Sequence, residues 1–188
     1  MTGNPYCVGQ VEWQGMLAAK WGVFRALFVA WLKRRWLWIA VPSGAVVLAG
    51  QFVSFGANIT PSLPQHVFLV LKYDKQVRPG DYAVFIPPRS VFHKNDDALV
   101  KIVAGVPGDV ISFDGQELLL NGVSMGQLKP RSTRGPLAGV TLSRIAQGVI
   151  PPGHFFMHAP HPDSLDSRYT AVGLIAQERI VGRALPLF

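Results

Sequence analysis

The chain has 188 residues, which is enough for one domain with a hydrophobic core and an additional anchor segment. Hydrophobic residues make up 49% of it and charged residues only 15%, which excludes a disordered protein and favours a membrane-associated one. The net charge of +7 raises the possibility of a nucleic-acid partner, but the positive charge clusters beside an apolar segment, so we predict no nucleic-acid binding. Cys7 is the only cysteine, which excludes an internal disulfide and a metal–thiolate site.

An uncharged segment at residues 36–55 predicts a transmembrane anchor. It holds 20 residues without Asp, Glu, Lys or Arg, and a helix of that length spans about 30 Å, one hydrocarbon thickness. The basic run Lys33-Arg34-Arg35 directly precedes it, and no further positive residue follows until Lys72. By the positive-inside rule, residues 1–35 are predicted to be a cytoplasmic basic segment. Residues 56–188 are predicted to lie outside the cytoplasm.

Two alternatives bear on this topology. Residues 21–32 carry apolar residues at helical spacing around Arg25, which favours an interfacial helix, although a second span there would invert the topology. A cleavable signal peptide ending at Ala49 is the other alternative. Pro42 and Gly44 interrupt its apolar run early and its basic region is unusually long, so a retained anchor is favoured.

Beyond residue 56 the pattern is typical of short β-strands. Turn signals such as Pro107-Gly-Asp109 and Asp114-Gly115 separate runs that are rich in β-branched and aliphatic residues. Residues 123–150 lose this rhythm and predict a small inserted lobe. The sequence therefore predicts a mostly β domain over residues 56–188. The predicted strands are 67–71, 82–86, 99–103, 110–113 and 117–120.

Two residues of this domain have the features of a nucleophile and a base. Ser62 lies between Pro61 and Pro64, which stiffen the backbone that presents its hydroxyl. Lys101 lies inside the apolar run 99–103, where burial would lower its pKa and allow it to act as a general base. Taken singly, a turn serine and a solvent-facing edge lysine remain the alternatives.

A third motif, residues 164–169, offers hydroxyl groups that could hold a lysine amine. Asp166 and Arg168 are two residues apart and would share one face of an extended segment. Taken alone, this motif is also typical of a surface turn with a local ion pair.

The order of these motifs resembles the type I signal peptidase (leader peptidase) superfamily, over about residues 56–185. Each of four segments is similar to one box of that family: Ser-Met-x-Pro, Gly-Asp-hydrophobic, Lys-Arg-x-x-Gly-x-Pro-Gly-Asp and Ser-x-Asp-Ser-Arg. In that order, the segments are Ser62-Leu-Pro64, Arg78-Pro-Gly-Asp-Tyr-Ala-Val-Phe85, Lys101-Ile-Val-Ala-Gly-Val-Pro-Gly-Asp109 and Ser164-Leu-Asp-Ser-Arg168.

The resemblance implies a fold and a site. The fold would be a signal-peptidase-like domain of coiled antiparallel β-sheets behind an N-terminal transmembrane helix. Ser62 would be the nucleophile and Lys101 the general base, while the N–H of Ser62 and the hydroxyl of Thr60 would form the oxyanion hole. No cofactor and no metal are implied. The supporting residues would be Ser164, which orients the lysine, and Asp166 and Arg168, which brace the site.

Departures from the family pattern resemble its TraF-like branch, conjugal-transfer peptidases that mature pilin precursors and in some members join the pilin ends. Ile102 replaces an arginine, Leu63 replaces a methionine, and His158-Ala-Pro-His161 stands where Gly-Asp-Asn-Arg is expected. The resemblance implies a serine endopeptidase of the bacterial inner membrane, with a periplasmic domain that acts on an extended, exported precursor peptide. A housekeeping signal peptidase and an inactive envelope scaffold are the alternatives. A cytoplasmic self-cleaving regulator would share the catalytic dyad of Ser62 and Lys101, but the predicted anchor argues against it.

The histidines raise the question of a zinc site. His154, His158 and His161 lie close together in sequence, but no carboxylate or cysteine completes a set at helical spacing. Prolines at 160 and 162 also break any helix there. We therefore predict no metal, and we expect all five histidines of the chain to be dispensable for the chemical step.

Overall fold

The computed structural model describes residues 9–58, 60, 62–92, 98–133 and 137–188, with side chains described from residue 18 onward. The chain divides into two compact units, one ending at Ala49 and the other running from Gly50 to Phe188.

A single helix, α1, covers Gly9–Phe52. Residues 21–32 are part of it, and all its charged residues precede Trp36. Its apolar residues are spread around the helix and not confined to one face, and many of their side chains are exposed. In the part of the chain that the structure describes, no helix reaches both the length and the mean hydropathy of a membrane span.

The helix ends at Phe52, three residues before the predicted end of the anchor at residue 55. Val53–Ala57 form the strand β1, which pairs antiparallel with residues 67–71, Val53 lying opposite Leu71. The β-branched and aromatic residues of this segment are good strand formers, and the pairing gives their backbone groups partners in a sheet.

Among the described residues, ten further strands follow β1. Each of the five predicted runs lies in one of them, except that the strand beginning at Tyr82 ends at Phe85 and leaves Ile86 outside. A 3₁₀ turn at Gln177–Arg179 precedes the last strand. The strands are β2 Val67–Lys72, β3 Tyr82–Phe85, β4 Leu99–Gly105, β5 Val110–Asp114, β6 Glu117–Leu120, β7 Val123–Gln127, β8 Gly148–Val149, β9 His154–His158, β10 Ile175–Ala176 and β11 Ile180–Pro186.

The strands form two sheets in which all pairings are antiparallel, so the prediction of a mostly antiparallel β domain is confirmed. The larger sheet has the order β1-β2-β11-β3-β4-β9-β10, and the smaller has the order β7-β6-β5-β8. The last strand, β11, therefore lies between β2 and β3. A Cβ on Gly182 would lie 2.1 Å from the carbonyl oxygen of Leu71, so the close approach of β11 to β2 requires glycine there.

The alternation of β4 places a lysine toward the core. Lys101, Val103 and Gly105 are buried, whereas the residues between them are only half-buried, because successive side chains of a strand point to opposite faces. Val103 joins a core cluster with Phe85, Met157 and Ile180. Lys101 lies two residues earlier on the same face and so enters the interior of the domain.

The region of the predicted lobe, residues 123–150, contains two edge strands of the smaller sheet. β7 pairs with β6, and β8 pairs with β5. Between them the chain forms a loop that is bridged by an antiparallel pair, Arg131 with Thr141.

Candidate functional site

An open cavity in the β domain brings three of the predicted motifs together. Ser62, Lys101 and Ser164 all contribute to its wall. These residues come from the segment after β1, from β4 and from the segment after β9, so only the folded sheet makes them neighbours. Its wall also includes Asn58, Thr60, Leu99, Val100, Lys129, Arg131, Leu137, Leu142, Asp163 and Leu165.

Short-range hydrogen bonds hold the hydroxyl of Ser62, which is almost fully buried. The hydroxyl oxygens of Thr60 and Ser62 lie 3.0 Å apart. Thr60 donates its hydroxyl to Oδ1 of Asn58 at 2.9 Å, and its backbone N–H to the same atom at 3.2 Å. The side-chain amide of Asn58 donates to the backbone oxygens of Leu63 and Gln65. Asn58 therefore closes the turn that presents Ser62; Pro61 lies outside the described residues.

Lys101 is buried, with only 4% of its surface exposed. Its Nζ donates a hydrogen bond to Oγ of Ser164 at 2.9 Å. On the neighbouring strand β3, the residue opposite it is Ala83, so no bulky side chain stands beside it in that direction. A primary amine held inside the domain by a hydroxyl group, and facing a cavity that a serine also lines, could accept a proton from that serine.

A buried ion pair braces the segment that carries Ser164. Arg168 donates from Nε to Oδ1 of Asp166 at 2.8 Å, and from Nη2 to the backbone oxygen of Ser164 at 3.2 Å. Oδ2 of Asp166 accepts the backbone N–H of Ala159 at 3.1 Å. Burial acts to raise the pKa of Asp166, but its interactions with His158 and Arg168 outweigh burial and hold the pKa below its ordinary value. The carboxylate is therefore ionised and fixes the guanidinium group.

The same segment is fastened to the end of β9. Ser167 donates its N–H to the carbonyl of Met157, and the N–H of Met157 donates to Oγ of Ser167, both at 2.9 Å. Because β9 pairs with β4, this contact fixes the position of the Ser164 segment relative to the strand that carries Lys101.

An ion pair joins the loop between β7 and β8 to the rim of the cavity. Lys129 pairs with Asp163, and Thr133 donates to Asp163 at 2.9 Å. These hydrogen bonds lower the pKa of Asp163, that from Lys129 most of all. The hydroxyl of Tyr169 accepts the N–H of Lys129 at 3.0 Å. The loop thus forms a wall of the cavity without supplying any of the predicted catalytic groups.

The structure places the predicted residues in two shells. Thr60, Ser62, Lys101 and Ser164 line the cavity, and Asp166 and Arg168 lie buried behind Ser164. Their catalytic roles remain predictions.

Sequence reasoning missed two residues near the site. Asn58 has a weak sequence signal, because an asparagine two residues before a threonine is typical of an Asx turn. His158 has none, because its partner Asp166 becomes a neighbour only through the docking on β9. Among the described residues, no group of three or more His, Cys, Asp or Glu side chains is placed to hold a metal ion.

Comparisons with known proteins agree on one family. The sequence pattern of the family described as "Signal peptidase, peptidase S26" matches residues 29–188. A conjugal transfer protein TraF of Agrobacterium fabrum is 31% identical over 169 residues, covering 79% of this chain and 89% of the relative. A second TraF, from Agrobacterium tumefaciens, is 27% identical and covers 79% and 90%.

One solved structure is similar only in part. A signal peptidase I of Enterococcus faecalis has 22% sequence identity and a TM-score of 0.36, covering 58% of this chain and 97% of its own.

Proposed function

The chain belongs to the signal peptidase S26 family, on the side of its TraF relatives, and from that premise we propose that it is a membrane-anchored serine endopeptidase that processes exported precursors in conjugation. The observation that carries this proposal is the buried amine of Lys101, bonded to Ser164 in the same cavity that Ser62 lines. Removing an ammonium group from water is costly, so the burial of this strand lysine supports a role for its amine as a base.

The proposed reaction is an acyl transfer through Ser62. Lys101 accepts the hydroxyl proton while Oγ of Ser62 attacks the scissile carbonyl carbon, and the protonated amine then gives the proton to the leaving amine. The hydroxyl of Thr60 and the N–H of Ser62 donate to the oxyanion, for which Thr60 turns away from its present partners. Water releases the acyl group in hydrolysis; an amine at the other end of the same pilin releases it in cyclisation. Ser164 keeps the lysine amine in place throughout.

The proposed substrate is an extended, pilin-like precursor peptide. The TraF relatives carry conjugal transfer in their names, which supports a role in that process. The resemblance to signal peptidases adds the expectation of small residues near the scissile bond. Mass spectrometry of a pilin co-expressed with the protein separates the two outcomes, since a cyclic product lacks the mass of one water relative to the linear one.

The proposed anchor is the C-terminal part of α1. Residues 36–52 of this helix contain no charged residue, and the apolar side chains described there include Trp38, Val46 and Val47, which are more than 60% exposed. Such side chains need an apolar partner, and lipid is the partner proposed. The basic residues 33–35 then lie on the cytoplasmic side and the β domain on the periplasmic side.

The anchor can be tested by fractionation and by a topology reporter. We expect the protein to stay in the membrane fraction after alkaline extraction, and alkaline phosphatase fused after Phe188 to be active. Release of the protein from the membrane fraction by alkali would contradict the proposed anchor. An inactive phosphatase, together with an active cytoplasmic reporter at the same position, would support a second span at residues 21–32.

The activity can be tested with an internally quenched peptide that has alanine at the first and third positions before the scissile bond. We expect the full chain in detergent micelles to cleave it, and Ser62→Ala, Lys101→Ala and Lys101→Arg to be inactive, because a guanidinium group does not release its proton. The matched controls Ser112→Ala and Lys75→Ala lie away from the cavity and should keep full activity. The cleavage rate should rise with pH as Lys101 loses its proton, and this rise should occur at pH values below the pKa of a free lysine, which is roughly 10.4. Cleavage by Ser62→Ala would overturn the proposal, and a variant without activity that still supports pilus assembly would favour a scaffold.

A further inference from the structure

His158 lies at the end of β9 and faces the carboxylate of Asp166. Its Nδ1 is 3.3 Å from Oδ2 of Asp166, and 16% of the histidine side chain is exposed. Among buried side-chain nitrogen and oxygen atoms of the described residues, this Nδ1 is the one without a hydrogen bond in good geometry. A buried polar atom without a partner is rare in proteins and calls for an explanation.

The carboxylate of Asp166 has an open position on the side that faces His158. Oδ1 accepts two hydrogen bonds from Arg168, one from the backbone and one from Nε. Among the described residues, Oδ2 accepts a hydrogen bond from one donor, the N–H of Ala159, although a carboxylate oxygen can accept two. A lone pair on Nδ1 would repel this oxygen, whereas a proton on Nδ1 would be attracted to it. The geometry therefore favours the protonated Nδ1 as a second donor to Oδ2.

The contact reaches Lys101 by two routes. The first route runs through the ion pair of Asp166 and Arg168, since Arg168 also donates a hydrogen bond to the backbone oxygen of Ser164. Oγ of Ser164 in turn accepts a hydrogen bond from the amine of Lys101. Along the sheet, His158 lies opposite Ile102, the residue next to the lysine. A shift of Asp166 would thus change the position of the amine, although Asp166 itself does not line the cavity.

We propose that His158 is a positioning residue for Lys101, whose Nδ1–H fixes Asp166 and, through Arg168 and Ser164, the lysine amine. The inference rests on the proposed peptidase function. The Gly-Asp-Asn-Arg box of the signal peptidases that the sequence resembles has glycine at this position, and a glycine could not donate a side-chain hydrogen bond to Asp166. The inference also changes one expectation from the sequence: His158 takes no proton from substrate, but it is not dispensable for the rate.

The kinetic test compares His158→Leu with His158→Asn in the full chain, using the internally quenched alanine peptide. The leucine variant removes the donor. We expect kcat to fall about 10-fold with KM within twofold, because the amine of Lys101 is displaced, whereas His158 itself does not line the cavity. The asparagine variant places an N–H near the position of Nδ1 and should recover most of kcat. His154→Leu, at the other end of β9, is the matched control and should behave as wild type.

Three kinetic results would overturn the inference while Ser62→Ala remains inactive: a normal kcat in His158→Leu, an equal loss in His158→Asn, or a rise in KM alone. If the wild type itself fails to cleave, the peptidase proposal is at fault and a second measurement decides on His158. Nitrogen-15 NMR of histidine-labelled protein reports the protonation of each ring nitrogen. We expect a proton on Nδ1 of His158, and a tautomer protonated only on Nε2 would overturn the inference.

Discussion

The two halves of the candidate site are held by contacts of different range. On the nucleophile side, Asn58, Thr60 and Ser62 are joined by hydrogen bonds that span seven residues or fewer, and Asn58 also reaches Gln65. On the base side, the hydrogen bond from Lys101 to Ser164 joins residues 63 positions apart. The proposed nucleophile is thus positioned by a local turn, and the proposed base by strand pairing across the sheet.

The halves also differ in charge. The hydrogen bonds among Asn58, Thr60 and Ser62 are made by neutral groups, whereas the segment that carries Ser164 buries the ion pair of Asp166 and Arg168. A buried ion pair is stable only when its geometry is good and its remaining donors and acceptors are satisfied, so this half depends on precise packing. Variants of Ser62 and Thr60 should therefore change the rate with little effect on folding. Variants of the base half should change both.

The largest expected effect is the loss of either member of the dyad. Ser62→Ala and Lys101→Ala should each lower kcat/KM by roughly 10³-fold or more, and the double variant should be little worse, because the two residues act in one proton transfer. The measurement is a double-mutant cycle with the quenched peptide. Losses that multiply would mean that the two halves act independently.

Thr60→Val tests the nucleophile half with the shape of the side chain kept. Loss of the hydroxyl should lower kcat by roughly 10²–10³-fold and leave KM nearly unchanged, because the oxyanion forms only in the transition state. Steady-state kinetics with the quenched peptide measure this, and Thr170→Val, at an exposed threonine that does not line the cavity, serves as the control. A near-normal kcat would assign the oxyanion donor to another group.

Asn58→Ala tests whether the local turn alone positions the nucleophile. The variant removes the side chain that accepts from Thr60 and donates to two backbone oxygens. We expect kcat to fall about 10-fold and stability by about 1–2 kcal/mol, with Gln116→Ala as an exposed control. Denaturant unfolding and kinetics on the same sample separate the two effects. An unchanged kcat would show that the sheet, and not the turn, holds Ser62.

The smallest expected effect is on the pH dependence of stability. The pKa of Asp166 is held below its ordinary 3.8, so the folded state binds fewer protons there than the unfolded state. The stability that the Asp166 carboxylate contributes is therefore fully present at pH values above its ordinary pKa, and it is lost as the pH falls through the lowered pKa. The stability difference between wild type and Asp166→Asn, measured by urea unfolding, should shrink on acidification through this range. A difference independent of pH would mean that the carboxylate gains nothing from Arg168 and His158.

Much of the fold could be predicted because its signals are local. β-branched and aliphatic runs predicted five strands, such as residues 67–71 and 99–103, since side-chain shape and turn residues act over a few positions. The helix before the β domain was predicted in the same way, but not its end. Val53 leaves the helix because Leu71 offers it a pairing partner, and a partner 18 residues away is not visible in a local pattern.

The sequence by itself determined the residue types of the site and their order along the chain. Ser62, Lys101 and Ser164 could be selected because each stands in a short motif whose neighbours restrict its backbone or its surroundings. Only the tertiary structure decided that they share a cavity, that β11 lies between β2 and β3 in the larger sheet, and that His158 faces Asp166. Those positions depend on strand register and on docking between distant segments. Both are selected by the free energy of packing the whole core, which no local pattern in the sequence shows.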